Sequence, residues 1–431
     1  MNQKTTNNRL FRLCLTGKTP HNGAAVEMTH IDVPPNMSMW PQFHNGVAAG
    51  LRVSPETRYV DSNWINLSRN RQATTELSAE IAGFLLGLGL TGHLNKFNDL
   101  VIHEHLNRDH EMTQLALVLG LGIGKRASME ADTLRIISVY VESLSPSSTT
   151  SIEVPQNVRV AALMSIGFLF QGSAHRYMTE VLLAEIDRPP GPEMENCVDR
   201  ESYSLSAGLA LGLVTLGQGG NMAGLADLRL ADTLYHYMVG GAKRSLPAWS
   251  KDRNKNVISS ASYQIREGNT VNVDVTGPGA ILALGLMFHR TNNEAVAQWM
   301  TAPDSQQLLD SIRPDFLLLR TLARGLILWD QVLPTREWVE SNVPPNIRRY
   351  SLRNPGETEN EQVDYETMNQ AFYNIMAGAC MAVGLKFAGS ANSEAFQTLN
   401  RYAKVNPIHF TFQYTNIKYI EHHISKSGSR K

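Results

Sequence analysis

One short glycine frame recurs along the whole chain and constrains its fold more than any other feature. Residues 165–176, SIGFLFQGSAHR, align without gaps to 382–393, AVGLKFAGSANS. The same frame returns as GLGLTGHL from Gly87 and GLVTLGQG from Gly212, with looser copies at Gly50, Gly120, Gly285 and Gly325. With Gly167 and Gly384 these make eight anchors, mostly about 33–47 residues apart, the period of helix-pair repeats. Longer steps leave room for insertions.

The residues before each anchor say what the unit is. AEIAGFLLGLGL, VAALMSIGFLF, SAGLALGLVTL and IMAGACMAVGL are apolar nearly all round, which predicts fully buried helices. Glycine and alanine recur in them at spacings of three and four, as at Ala79, Gly83 and Gly87 or Gly208 and Gly212. A face of small residues lets neighbouring backbones approach closely, which offsets glycine's helix cost of about 1 kcal/mol. The second glycine of each frame, Gly92, Gly172, Gly217 or Gly389, suits a left-handed helix end.

An amphipathic stretch follows most anchors. In 176–186 Met178, Val181, Leu182 and Ile186 share one face, and Glu185 is expected on the wet side. In 129–142 Leu134, Ile137 and Val141 do the same. The unit is then a buried inner helix, a glycine turn and an outer helix, which buries its apolar surface only by stacking on copies of itself. The fold expected is all-α, an α–α superhelical or toroidal repeat forming an open arc, with one small β-hairpin insertion. The domain reading is an extended lead-in over 1–43, a repeat array over 44–404 and a divergent tail over 405–431.

Three insertions interrupt the array. Residues 143–157 form a Ser/Thr/Pro loop. Residues 241–275 open on a basic run containing Trp249, and Val271, Val273 and Val275 alternate as in a hairpin strand. Residues 341–366 place Arg348, Arg349 and Arg353 before Glu357, Glu359, Glu361, Asp364 and Glu366, a charge-segregated loop.

Composition narrows the function classes. Of 431 residues, 42% are hydrophobic and 18% charged, so a folded core is expected. A net charge of −1 gives no general attraction to nucleic acid or membrane. Neither is expected as a partner. The three cysteines, Cys14, Cys197 and Cys380, form no CxxC pair. That argues against a zinc module or a disulfide framework and fits nucleus and cytoplasm.

Candidate chemistry is sparse. Gly87-Leu-Gly89-Leu-Thr-Gly92 matches GxGxxG but falls late in an expected helix, where a dinucleotide site needs a strand-to-helix turn. His103, Glu104, His105 and His110 are the densest histidine group, yet a zincin would need histidine where Asn107 stands. No GxSxG elbow and no GxxxxGK[ST] loop occurs. No catalytic residue, cofactor or metal ligand is assigned. The connector 187–203, DRPPGPEMENCVDRESY, stands out instead. Its Pro-stiffened backbone and the charges of Arg188, Glu193, Glu195, Asp199 and Arg200, with Pro189 and Pro190, make it a candidate partner-contact ridge.

The frame small-xxx-GL-apolar-xx-G resembles the proteasome/cyclosome repeats. The connectors 31–51, 179–214, 263–276 and 317–330 are similar to those of one family within that group, the large scaffold subunit (subunit 1) of the anaphase-promoting complex. The resemblance covers about residues 14–404 and implies a non-enzymatic scaffold of a multi-subunit ubiquitin ligase that marks mitotic regulators for destruction at the metaphase–anaphase transition. Implied partners are the other scaffold subunits, the cullin/RING module and the substrate-recognition and coactivator proteins. The alternatives are a scaffold subunit of the proteasome regulatory particle, or a nucleotide-dependent enzyme using the Gly87–Gly92 loop.

Overall fold

Helices begin where the sequence supplies a capping oxygen or nitrogen to their first free amides. Ser78 accepts from the Ile81 amide at 3.4 Å, Asn293 from Val296 at 3.1 Å and Asp364 from Glu366 at 3.0 Å. In the computed structural model these and similar starts yield a mostly helical protein. The structure describes residues 16–18, 25–27, 35–57, 60, 78–107, 110–145, 154–189, 197–220, 222–243, 268–351 and 363–405.

The strands β1 (Thr16–Lys18) and β2 (Ala25–Glu27) pair antiparallel, Thr16 opposite Glu27. The helices are α1 (Pro35–Gly50), α2 (Ala79–Leu90), α3 (Asp99–Leu106), α4 (Glu111–Gly124), α5 (Ala131–Ser138), α6 (Gln156–Leu169), α7 (Arg176–Ile186), α8 (Cys197–Val214) and α9 (Leu230–Val239). Then follow α10 (Val273–Met287), α11 (Glu294–Trp299), α12 (Gln306–Leu309), α13 (Pro314–Ile327), α14 (Arg336–Ser341), α15 (Pro345–Ser351), α16 (Tyr365–Phe387) and α17 (Ser393–Val405). The chain divides into two compact units, residues 1–283 and 284–431.

In the first unit α1, α2, α4, α6 and α8 pack in succession, each on the next. Their contacts are backbone on backbone. A Cβ built at Gly83 would be driven into the Phe43 carbonyl, and one at Gly208 into the backbone of Gly279. Shorter helices flank this row. Of α7, Met178, Val181, Leu182 and Ile186 are buried, and Tyr177 is exposed. In the second unit α13 packs on α16, and Gly378 crosses the Leu318 carbonyl closely enough to exclude any side chain.

One joint geometry repeats within both units. A Cβ on Gly50 would lie 2.8 Å from the Gly87 Cα, on Gly89 2.5 Å from Gly120, on Gly122 2.6 Å from Ser165 and on Gly167 2.6 Å from Ala210. In the second unit Gly285 meets Ala323 at 2.9 Å and Gly325 meets Ala382 at 2.7 Å. The helices α2, α4, α6 and α13 therefore each use two small residues two positions apart. At roughly 100° per residue these project to opposite sides of the helix, one toward each neighbour. Gly92, Gly172, Gly217 and Gly389 all have positive φ, between 68° and 78°, where an L side chain is strained.

Several expectations are corrected. The alternating Val271, Val273 and Val275 do not continue as a strand. Ala242 bridges Thr270, Val271 donates to Gly241 at 2.9 Å, and Val273 then opens α10. The apolar run that follows is buried all round, an environment a helix fills with its own backbone bonds satisfied. The rest of that hairpin, with Trp249 and the basic run beyond Lys243, lies outside the described residues. The 341–366 loop contains α15, because Ile347 is fully buried and anchors a helical turn. The lead-in over 1–43 holds β1, β2 and the start of α1. Residues 406–431 lie outside the described residues.

Candidate functional site

The GxGxxG match resolves into packing. Gly87 and Gly89 lie inside α2 and face α1 and α4 respectively, while Gly92 forms the left-handed turn after the helix. Gly87 and Gly89 have their amides within the hydrogen-bonded body of the helix, whereas a phosphate cradle needs free amides at a helix N-terminus. The histidine group splits the same way. His103 and His105 sit in the last turn of α3, and His105 is buried. His110 caps α4 by accepting the Thr113 amide at 3.2 Å, and burial lowers its pKa below the ordinary value. Among the described residues no group of three His, Cys, Asp or Glu side chains is placed to hold a metal.

A cavity of about 430 Å³ opens between α3 and α5, lined by His103, Leu106, Asn107, Asp132, Arg135 and Tyr140 among others. Burial raises the Tyr140 phenol, which stays protonated at neutral pH, and Arg135 bonds Asp132 at 3.0 Å. Those lining groups include no activated nucleophile and no base poised beside one. Cys380 is buried and its thiol is pushed up to about 12 by that burial, so it is not a thiolate.

Among the described residues, the connector after α7 carries an extended polar network. Arg188 is 9% exposed and reaches the Tyr203 hydroxyl at 3.3 Å, Glu185 at 3.4 Å and Glu142. Its guanidinium also lies 5.6 Å from the Tyr203 ring centre. The Tyr203 hydroxyl donates to Glu185 at 2.8 Å, and burial is the main reason its pKa rises. Arg200, 3% exposed, donates twice to the Arg188 carbonyl, at 3.2 and 3.3 Å. Gln156 on α6 donates to the Asp199 carbonyl at 2.7 Å.

This geometry corrects one expectation. Glu185 is 6% exposed and does not stand on a wet face. Its partner Tyr203, eighteen residues on, is invisible to a helical-periodicity argument. Arg188 and Arg200 join α7 to α8. Pro189 is half-buried. Pro190, Glu193 and Glu195 lie outside the described residues. Sequence reasoning missed Glu142 as well, whose carboxylate holds Arg188 and lies 3.9 Å from Arg159. Only a run of charges bordering a Pro-rich connector hinted at it. No described helix is long and apolar enough to cross a membrane.

Comparison with known proteins gives a consistent result. Residues 2–126 match the APC1 fourth domain and residues 131–430 the APC1 fifth domain. The chain is 50% identical over 398 residues to anaphase-promoting complex subunit 1 of Mus musculus, and 50% identical over 398 residues to that of Homo sapiens. Each match covers 91% of this chain and 20% of the relative. To the Arabidopsis thaliana protein of the same name it is 37% identical over 399 residues, 91% of this chain and 23% of the relative. The chain thus spans about a fifth of the length of the curated relatives it matches.

Proposed function

The chain belongs to the family of anaphase-promoting complex subunit 1, and from that premise we propose that it is a non-catalytic scaffold segment of that cell-cycle ubiquitin ligase. In this reading residues 44–404 form an α–α superhelical array of proteasome/cyclosome repeats. The array organises partner subunits for ubiquitination of mitotic regulators. The observation that carries the reading is the recurring glycine joint. It gives a row of closely packed helices whose recurring glycines are used for packing, and the polar cluster at Arg188 is turned inward. Rigid elements hold binding surfaces at fixed separations with little entropy lost on assembly. The partners proposed are the other scaffold subunits, the cullin/RING module and the substrate-recognition and coactivator proteins. The proposed locations are nucleus and cytoplasm.

Affinity purification from dividing cells followed by mass spectrometry tests this. Recovery of anaphase-promoting complex subunits is expected; recovery of proteasome subunits alone, or of neither, overturns it. Equilibrium dialysis with ATP and NAD tests the enzymatic alternative. No saturable binding is expected, and saturable micromolar binding would establish a nucleotide site in its place.

A further inference from the structure

Three of the glycine joints are sealed by main-chain hydrogen bonds in one register. Where Gly122 faces Ser165, the amides of Ala127 and Met129 donate to the carbonyls of Phe168 and Leu169, at 2.9 and 3.1 Å. Where Gly167 faces Ala210, Gly172 and Ala174 donate to Leu213 and Val214, both at 2.9 Å. Where Gly285 faces Ala323, Arg290 and Asn292 donate to Leu326 and Ile327, at 2.9 and 3.1 Å. The donors stand five and seven residues after the glycine, and all six have positive φ. The second acceptor of each pair, four residues after the small residue opposite, is Leu169, Val214 or Ile327, and all three side chains are fully buried.

The joint where Gly325 faces Ala382 departs from that register on both sides. Asp330 and Val332 stand at its donor positions, yet neither has positive φ. Among the described residues no main-chain bond crosses from this turn to α16. The turn presents carbonyls to α16 instead. On the facing side, Lys386 stands where the other joints carry Leu169, Val214 and Ile327. Its ammonium donates to the carbonyls of Trp329 at 2.8 Å, Asp330 at 3.2 Å and Val332 at 2.8 Å.

The two departures fit each other. An ammonium has three N–H donors, and three carbonyls take them. The Asp330 carboxylate is engaged separately, by Arg290 at 3.3 Å and Asn292 at 2.9 Å. The hydrogen bonds of Lys386 among the described residues therefore all go to neutral main-chain oxygens. Lys386 is half-buried, so its charge is partly desolvated and those bonds are stronger than bonds between neutral groups.

We propose that the carbonyls of Trp329, Asp330 and Val332 form a cage for a monovalent ammonium, which Lys386 fills as a tethered cation, and that filling this cage locks the α13–α16 joint. The seam is thereby set by one removable charge, where the three main-chain seams are set by turn geometry. Neutralising that charge frees the seam and leaves the contact of Gly325 with Ala382 in place.

Hydrogen–deuterium exchange on the full chain tests the proposal, read over 326–333 and, as a reference seam, over 168–176. Lys386→Ala removes the ammonium and the three carbons that carry it, a piece that propylammonium replaces. Exchange over 326–333 should then rise about tenfold or more, with 168–176 unchanged. Added propylammonium should return the variant to the parent rate. Propan-1-ol, of the same length without the charge, and tetramethylammonium, charged without an N–H, should leave the rate raised. Lys386→Met, which keeps the bulk and loses the charge, should free the seam while the helical circular dichroism holds. An unchanged rate in either variant overturns the proposal. So does an equal rise over 168–176, which would make Lys386 a general stabiliser. Equal recovery with propan-1-ol, or no recovery with propylammonium, overturns the cage.

Discussion

Two contacts in the first unit join consecutive helices by opposite means. At the α1–α2 crossing, Gly46, Gly83 and Gly87 remove every side chain so that backbones touch. At the α7–α8 corner, Arg188, Glu185, Tyr203 and Arg200 fill the space with polar side chains that satisfy one another. The crossing is specified by size and has no chemistry to lose, so it is sensitive to any added atom. The corner is specified by partners, so it is sensitive to removal of any one, which leaves the rest buried and unpaired.

The largest effect should come from adding atoms at the crossing. Gly83→Val forces a side chain into the Phe43 carbonyl and is expected to cost about 3 kcal/mol or more in denaturant melts. Gly384→Ala, at an open position, should be neutral or stabilise by up to about 1 kcal/mol through helix propensity. Equal costs for the two would show that glycine's helix penalty, and not the close approach, governs the frame.

Removing a partner at the corner should come next. Glu185→Ala takes a carboxylate from both Tyr203 and Arg188 and is expected to cost about 2–4 kcal/mol. A cost below about 0.5 kcal/mol, the level of an ordinary surface change, would mean the network is dispensable.

Ser165 combines both modes. It faces Gly122, and its hydroxyl bonds the Val118 carbonyl at 2.8 Å and the Ala161 carbonyl at 2.7 Å. Ser165→Ala keeps the size and loses the bond, so about 1 kcal/mol is expected. Ser165→Val should cost clearly more, and the reverse order would rank polarity above size at the joint.

The smallest effect concerns pH. Burial lowers the pKa of His110 and is likewise the main cause at His289, so the folded state prefers both neutral. Their contribution is present above the ordinary histidine value and is lost as pH falls through the lowered one. Thermal melts between about pH 7.5 and about pH 5.5 should show a falling midpoint. His110→Asn, which keeps a capping oxygen for Thr113, should shrink that fall. An unchanged slope would place the titration elsewhere.

The sequence by itself determined the helical class, the buried glycine-bearing helices and the positive-φ turns, because each depends on local spacing. A small residue every few positions in an all-apolar run is visible without knowing what it touches. The family was legible from the same frame together with its connectors. Tertiary structure decided the rest. Glu185 looked solvent-facing because α7 is amphipathic by period, yet Tyr203 folds back over it. Val273 and Val275 alternate like a strand, yet the run beyond them is buried on all sides and takes up helix. The connector arginines stand out in the sequence only as charges, and the fold supplies their neighbours Glu142, Tyr203 and the Arg188 carbonyl. Periodicity records which residues share a face. Only packing decides what covers that face, because the covering groups arrive from positions far along the chain.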